Sequence, residues 1–208
     1  MQAATKLTPS STQPLFQQVC VIGLGLIGAS LAQAIKDNGL SQRLVAVDRH
    51  LPSIEEAIQH GLLDAGSAIL SEVVSGSDLI VIAIPVQAVQ AVFVDIKAAM
   101  DNGQLAIDCI ITDVCSTKVN IIDAAKAVFE TLPTGLVPAH PIAGAENSGY
   151  HARRATLFVN HSVIICELPT TSHLAIVKLR QLWEAVGASV MPMEAAHHDA
   201  ILAHTSHL

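Results

Sequence analysis

Three glycines and one acid form the first group of residues whose spacing suits chemistry. Gly23, Gly25 and Gly28 make up the run GLGLIG, and Asp48 follows 20 residues after the last of them. A bare GxGxxG is weak evidence, but here an apolar run precedes it and a helical pattern follows it. The first glycine allows a tight turn, the second lets the backbone approach a diphosphate, and the third lets helix and strand pack closely. The amides near Leu26 and Ile27 then face that diphosphate at the positive end of a helix dipole. A carboxylate at Asp48 accepts hydrogen bonds from the adenosine ribose and repels a 2′-phosphate, which favours NAD over NADP. Arg49 blurs this preference, because a guanidinium beside the ribose tolerates the extra phosphate. The alternative is a generic turn with a surface acid.

Ala83, Ile84 and Pro85 end a later apolar run. They either pack against the ribose–nicotinamide half of the coenzyme or form a plain strand-to-helix turn with proline near the helix start. The chain has ten histidines. His140 sits just after an apolar run, where a neutral imidazole can accept a proton near pH 7. His197, His198, His204 and His207 cluster near the end and invite a metal reading. HExxH is absent and no cysteine is near in sequence, so no metal site is expected.

The elements that must position these residues follow from periodicity. Strands are expected at 19–23, 44–48, 78–84, 105–110, 136–139, 162–166 and 189–191. Helices are expected at 26–37, 53–59, 86–100, 117–132 and 172–186, with one more from Glu194 onward. Apolar strands alternating with helices indicate an α/β fold of the Rossmann type, doubly wound, with a mainly parallel sheet covered on both faces. A flexible polar tail is expected at 1–16 and a dinucleotide-binding domain at 17–192. The stretch 193–208 reads as the first helix of a helical domain that is cut off, since it carries no cap signal.

Composition limits the remaining possibilities. Lys plus Arg is 11 against 18 for Asp plus Glu, a net charge of −7. That excludes a general nucleic-acid binder and a polybasic membrane-surface protein. Hydrophobic residues are 51% and charged residues 14%, which excludes bulk disorder, and with only 3% aromatics the core must be aliphatic. Mean hydropathy is +0.49. Yet the longest uncharged apolar stretch, 79–94, holds Pro85, Gln87 and Gln90, and it is shorter than the roughly 18 residues of a spanning helix. No signal pattern opens the chain. Cys20, Cys109, Cys115 and Cys166 form no CxxC pair. They read as reduced cytoplasmic thiols, at least three of them in buried strands.

Three further segments, TDVCSTK (112–118), PAHPIAGAENSGY (138–150) and HDAILAHTSHL (198–208), occur in this order after GLGLIGASLA. Together they resemble the prephenate dehydrogenases and their arogenate-using relatives, the cyclohexadienyl dehydrogenases of tyrosine biosynthesis, from about Val19 to Leu208. The resemblance implies NAD-dependent oxidative decarboxylation of prephenate or arogenate, with His140 as the catalytic histidine. It implies that Ser116 hydrogen-bonds near that histidine and the nicotinamide, although Ser116 also reads as a helix N-cap. Glu146 follows as a polar contact or gate at the substrate mouth, and His207 as a histidine that reaches the substrate. Asp113 and Lys118 read as structural or capping residues. Arg153 and Arg154 either attract a dicarboxylate or form a solvated loop. Family members continue into a helical domain that builds a homodimer and clamps the substrate, so this chain is expected to bind NAD but to turn over weakly by itself. A non-catalytic NAD-binding sensor or another hydride-transfer enzyme on the same sheet are the competing readings.

Overall fold

The computed structural model describes residues 13–144 and 147–205. β1 (Phe16–Ile22) lies at the centre of a parallel sheet. β2 (Ser41–Val47) and β3 (Ala65–Ser67) extend it on one side, and β4 (Leu79–Ile82) and β5 (Ile110–Asp113) on the other. The strand order is β3-β2-β1-β4-β5. The chain direction across the sheet therefore reverses between β1 and β4, the switch point at which α/β folds bind ligands. Beyond β5 the segment at Leu136 pairs parallel with Ile111. The chain then enters β6 (Ala139–Pro141), which is antiparallel to β7 (Ser162–Ile165). β8 (Ser189–Pro192) runs parallel to β7.

Alternation along the strands explains the two helical layers. Val19 and Val21 of β1 point into one apolar cluster, with Leu31 and Ile35 of α1 (Leu26–Asp37), Ile54 of α2 (Leu51–Gln59) and Trp183 of α5 (His173–Ala185). Cys20 and Ile22 point into the other, with Phe93 and Ile96 of α3 (Val89–Asp101) and Ile121 of α4 (Val119–Val128). The apolar stretch Val19–Ile22 of β1 is thus divided between two cores, as a doubly wound sheet requires. A third, small cluster joins Ile122 of α4, Ile164 of β7 and Cys166 to Ala195, the first residue of α6 (Ala195–Thr205).

Several boundaries differ from the sequence reading. The strand expected at 105–110 lies at Ile110–Asp113, where Thr112 and Asp113 are buried, while Ile107 is 83% exposed. Its polar end had disguised it as loop. β1 begins at Phe16, inside the expected tail, because the Phe16 ring is fully buried. β3 carried no apolar run to reveal it, and α4 spans only Val119–Val128. All four cysteines are free and buried, but only Cys20 lies within a strand. No helix among the described residues is long and apolar enough to cross a membrane.

Candidate functional site

The carboxyl ends of β1, β2 and β4 open onto a cleft of about 830 Å³. Gly23, Gly25, Asp48, Arg49, Ala83, Ile84 and Pro85 all line it, so seven of the residues chosen from sequence meet there. The three glycines differ in what holds them. Gly23 has φ +99°, and a Cβ on it would lie 2.4 Å from the Ala83 carbonyl oxygen. A Cβ on Gly28 would lie 2.0 Å from the Gly23 carbonyl oxygen. Gly28 is buried beneath the loop and packs rather than lining the cleft. Gly25 is the N-cap of α1 and faces open space. The amides of the first helical turn, including those of the half-buried Leu26 and Ile27, have no intrahelical acceptor. Gly25 therefore leaves a bare approach to a row of donors, which suits an anion.

Asp48 fastens the loop from the neighbouring strand. Its Oδ2 accepts the Leu24 amide at 2.6 Å and its Oδ1 accepts the His50 amide at 2.8 Å. The carboxylate is thus aimed before any ribose arrives. Arg49 is exposed on the rim. Ile69, Ala88, Val92 and Asp95 complete the cleft walls. Sequence reasoning missed them because nothing distinguishes them from ordinary helix and turn residues.

A second group assembles at the next strand ends. Lys118, fully buried, forms an ion pair with Asp113 at the end of β5 and donates from Nζ to the Ala139 carbonyl at 2.6 Å. Asp113 also accepts the Cys115 amide at 2.9 Å and the Ala139 amide at 3.3 Å. Burial raises the Asp113 carboxyl from its ordinary value, and Lys118 and the two amides oppose that rise. This pair fixes the backbone at Ala139, directly before His140. Both residues read as structural from sequence, and a fully enclosed pair is consistent with that.

His140, half-buried in β6, contacts His198 of α6: its Nδ1 lies 2.9 Å from His198 Nε2. His198 is fully buried, and its Nδ1 lies 2.7 Å from Asp199 Oδ1. Asp199 in turn accepts the Lys118 amide at 2.8 Å and the Val119 amide at 2.9 Å, capping α4 from another helix. Burial is the main cause that pushes the His140 imidazole down to about 4. Lys118 and His198 add to it, and Asp199 opposes it. At neutral pH His140 is therefore an uncharged imidazole, able to accept a hydrogen bond or a proton.

Ser116 lies exposed in the loop between β5 and α4. No hydrogen bond joins it to His140 among the described residues, and the α4 amides it was expected to cap are taken by Asp199. Arg153 stacks on the Tyr150 ring at 4.0 Å, and its Nε lies 3.5 Å from Gln33 Oε1; it therefore packs against α1 rather than reaching the His140 group. Glu146 and His207 lie outside the described residues, as does the side chain of His204. His198 and Asp199 were missed as site members. Their only sequence signal was the adjacent HD at the head of the last motif.

Residues 31–192 match the family model described as "Prephenate dehydrogenase, nucleotide-binding domain". A cyclohexadienyl dehydrogenase of Zymomonas mobilis is 36% identical over 93% of the chain. The crystal structure of a prephenate dehydrogenase from A. aeolicus, in complex with hydroxyphenyl propionate and NAD+, superposes with a TM-score of 0.80 at 25% identity over 93% of the chain. That of a Synechocystis arogenate dehydrogenase superposes with a TM-score of 0.78 at 28% identity over 92%. The chain spans 64% of the length of each of these three proteins.

Proposed function

The chain belongs to the prephenate dehydrogenase family, and we propose that it is the coenzyme-binding portion of an enzyme that oxidatively decarboxylates prephenate or arogenate with NAD. The products are 4-hydroxyphenylpyruvate or tyrosine, with carbon dioxide. The observation that carries this reading is His140: a neutral imidazole directly after Ala139, whose amide is tied to Asp113 at the carboxyl end of β5.

The first-turn amides of α1 receive the diphosphate over the bare Gly25, and Asp48 receives the adenosine ribose. Ala83, Ile84 and Pro85 form the wall beside the ribose–nicotinamide half. The nicotinamide, when bound, accepts the hydride from the ring carbon that bears the substrate hydroxyl. His140 draws the hydroxyl proton as that hydride leaves. As carbon dioxide departs and the ring becomes aromatic, the ring electrons return to the oxygen and His140 gives the proton back to it. No net proton is consumed, so the imidazole is ready for the next turnover. Ser116 is assigned to the nicotinamide side and Glu146 and His207 to the substrate side as part of the same proposal. Asp48 supports NAD over NADP. The four free, buried thiols support a reducing, cytoplasmic setting, and assembly as a homodimer is part of the same reading.

Steady-state coenzyme reduction, with prephenate and arogenate offered in turn, tests the reading. His140→Asn is expected to abolish turnover while leaving NAD affinity intact. Calorimetry that detects no heat from either NAD or NADP on folded protein overturns it.

A further inference from the structure

We propose that Asp199 and His198 are positioning residues that fix which nitrogen of His140 carries hydrogen, leaving Nε2 as the bare acceptor. This rests on the reading of His140 as the proton acceptor, but the hydrogen-bond chain itself is independent of any substrate.

Three donors converge on Asp199: the Lys118 amide, the Val119 amide and His198 Nδ1. Burial pushes the Asp199 carboxyl up, but the two amides, which can only donate, together with His198 outweigh it and hold it below its ordinary value, as a carboxylate. A carboxylate only accepts, so His198 Nδ1 must carry hydrogen. With one ring hydrogen held at Nδ1, Nε2 is left as an acceptor. His140 Nδ1, 2.9 Å away, must then donate to it. His140 is itself neutral, so its Nε2 has a lone pair and no hydrogen. Asp199 thereby dictates a choice two rings away. Free imidazole makes no such commitment, and the wrong tautomer would present N–H to a hydroxyl whose proton has to be taken.

The burial pattern supports a dedicated role. His198 is fully enclosed while its neighbour His197 is exposed. A buried imidazole with no function is easily replaced by an apolar side chain, whereas this one has both ring nitrogens engaged. The charged groups that act on His140 besides His198 are Lys118, at the start of α4, and Asp199, on α6. Among the described residues, Asp199 is the one whose carboxylate meets a ring nitrogen of His198, so it orders the hydrogens.

Nitrogen NMR of the ring-labelled 208-residue chain at pH 8, without substrate or coenzyme, reads the tautomers directly. The expected signature is N–H character at Nδ1 and a bare nitrogen at Nε2 for both His140 and His198. His198→Leu removes the acceptor, and His140 should then shift to a tautomer mixture. His198→Gln supplies a side-chain oxygen to Nδ1–H and should keep the wild-type signature. In the protein assayed with substrate, His198→Leu should lower turnover about 100-fold, the size of a lost acid–base group, and His198→Gln should recover most of it. Wild-type His140 with hydrogen on Nε2, or His198→Leu with an unchanged signature, overturns the proposal. The wild-type spectrum decides even if a variant fails to fold. A correct signature in a full-length wild-type enzyme that turns over neither prephenate nor arogenate would overturn the functional reading and leave this one standing.

Discussion

The glycine cradle sits at the carboxyl ends of the five-stranded sheet and the His140 relay beside the end of β5, on β6 of the second sheet, and they are held by different materials. The cradle is backbone against backbone: Gly28 under Gly23, Gly23 against Ala83, and one carboxylate from the next strand. Its ties are short in sequence, with Asp48 only 24 residues from Leu24. The relay depends on side chains, one ring against another and Asp199 accepting two backbone amides, and these links span 58, 80 and 81 residues. A cradle tolerates no added atom at its contact points. A relay tolerates changes of shape but not the loss of a charge partner, because a buried ion cannot fall back on water.

The sharpest way to break the comparison is to remove one partner of the enclosed ion pair. Lys118→Met should cost about 3–5 kcal/mol in chemical denaturation, because Asp113 is left buried without its cation. The same variant removes a positive neighbour and should raise the His140 titration point. Gly28→Ala comes next, at about 1–3 kcal/mol, the range for overpacking a tight interior. It should also weaken coenzyme binding, because the loop has to shift away from the Gly23 oxygen.

Acidification probes the relay more gently. His140 titrates at about 4 when folded, below the ordinary 6.5, so the unfolded chain takes up its proton first. Its contribution is present above about pH 6.5 and is lost as pH falls toward 4. The slope of stability against pH over this window should flatten in His140→Gln. The smallest effect on folding belongs to Gly25→Ala. Its φ is −71° and a Cβ would meet open space, so stability should stay within about 0.5 kcal/mol while calorimetric affinity for NAD falls. A destabilised Gly25→Ala would show that the middle glycine serves the fold and not the ligand.

The two regions were unequally legible from the chain for the same physical reason. The cradle follows a local code: an apolar run, glycines at fixed offsets, a helix, and an acid one strand later. All of it falls within residues 19–48. The doubly wound sheet followed from apolar strands alternating with helices. The relay has no local code. Asp113 and Lys118 look like loop polar residues until the fold encloses them. His198 looked like one member of a histidine cluster, because burial, not spacing, separates it from His197. Where β5 ends in Thr112 and Asp113, polarity at a buried strand terminus misplaced the strand itself.

The buried thiols give the molecule its own clock for opening. Burial pushes Cys20, Cys109 and Cys115 up to about 12 and Cys166 to about 11, so almost no thiolate meets an alkylating reagent while the fold is closed. The first three share the layer under α3 and α4, whereas Cys166 belongs to the small patch that seats α6. Pulse labelling with mass readout should therefore distinguish lifting of the last helix, which marks Cys166 alone, from melting of the sheet, which marks all four.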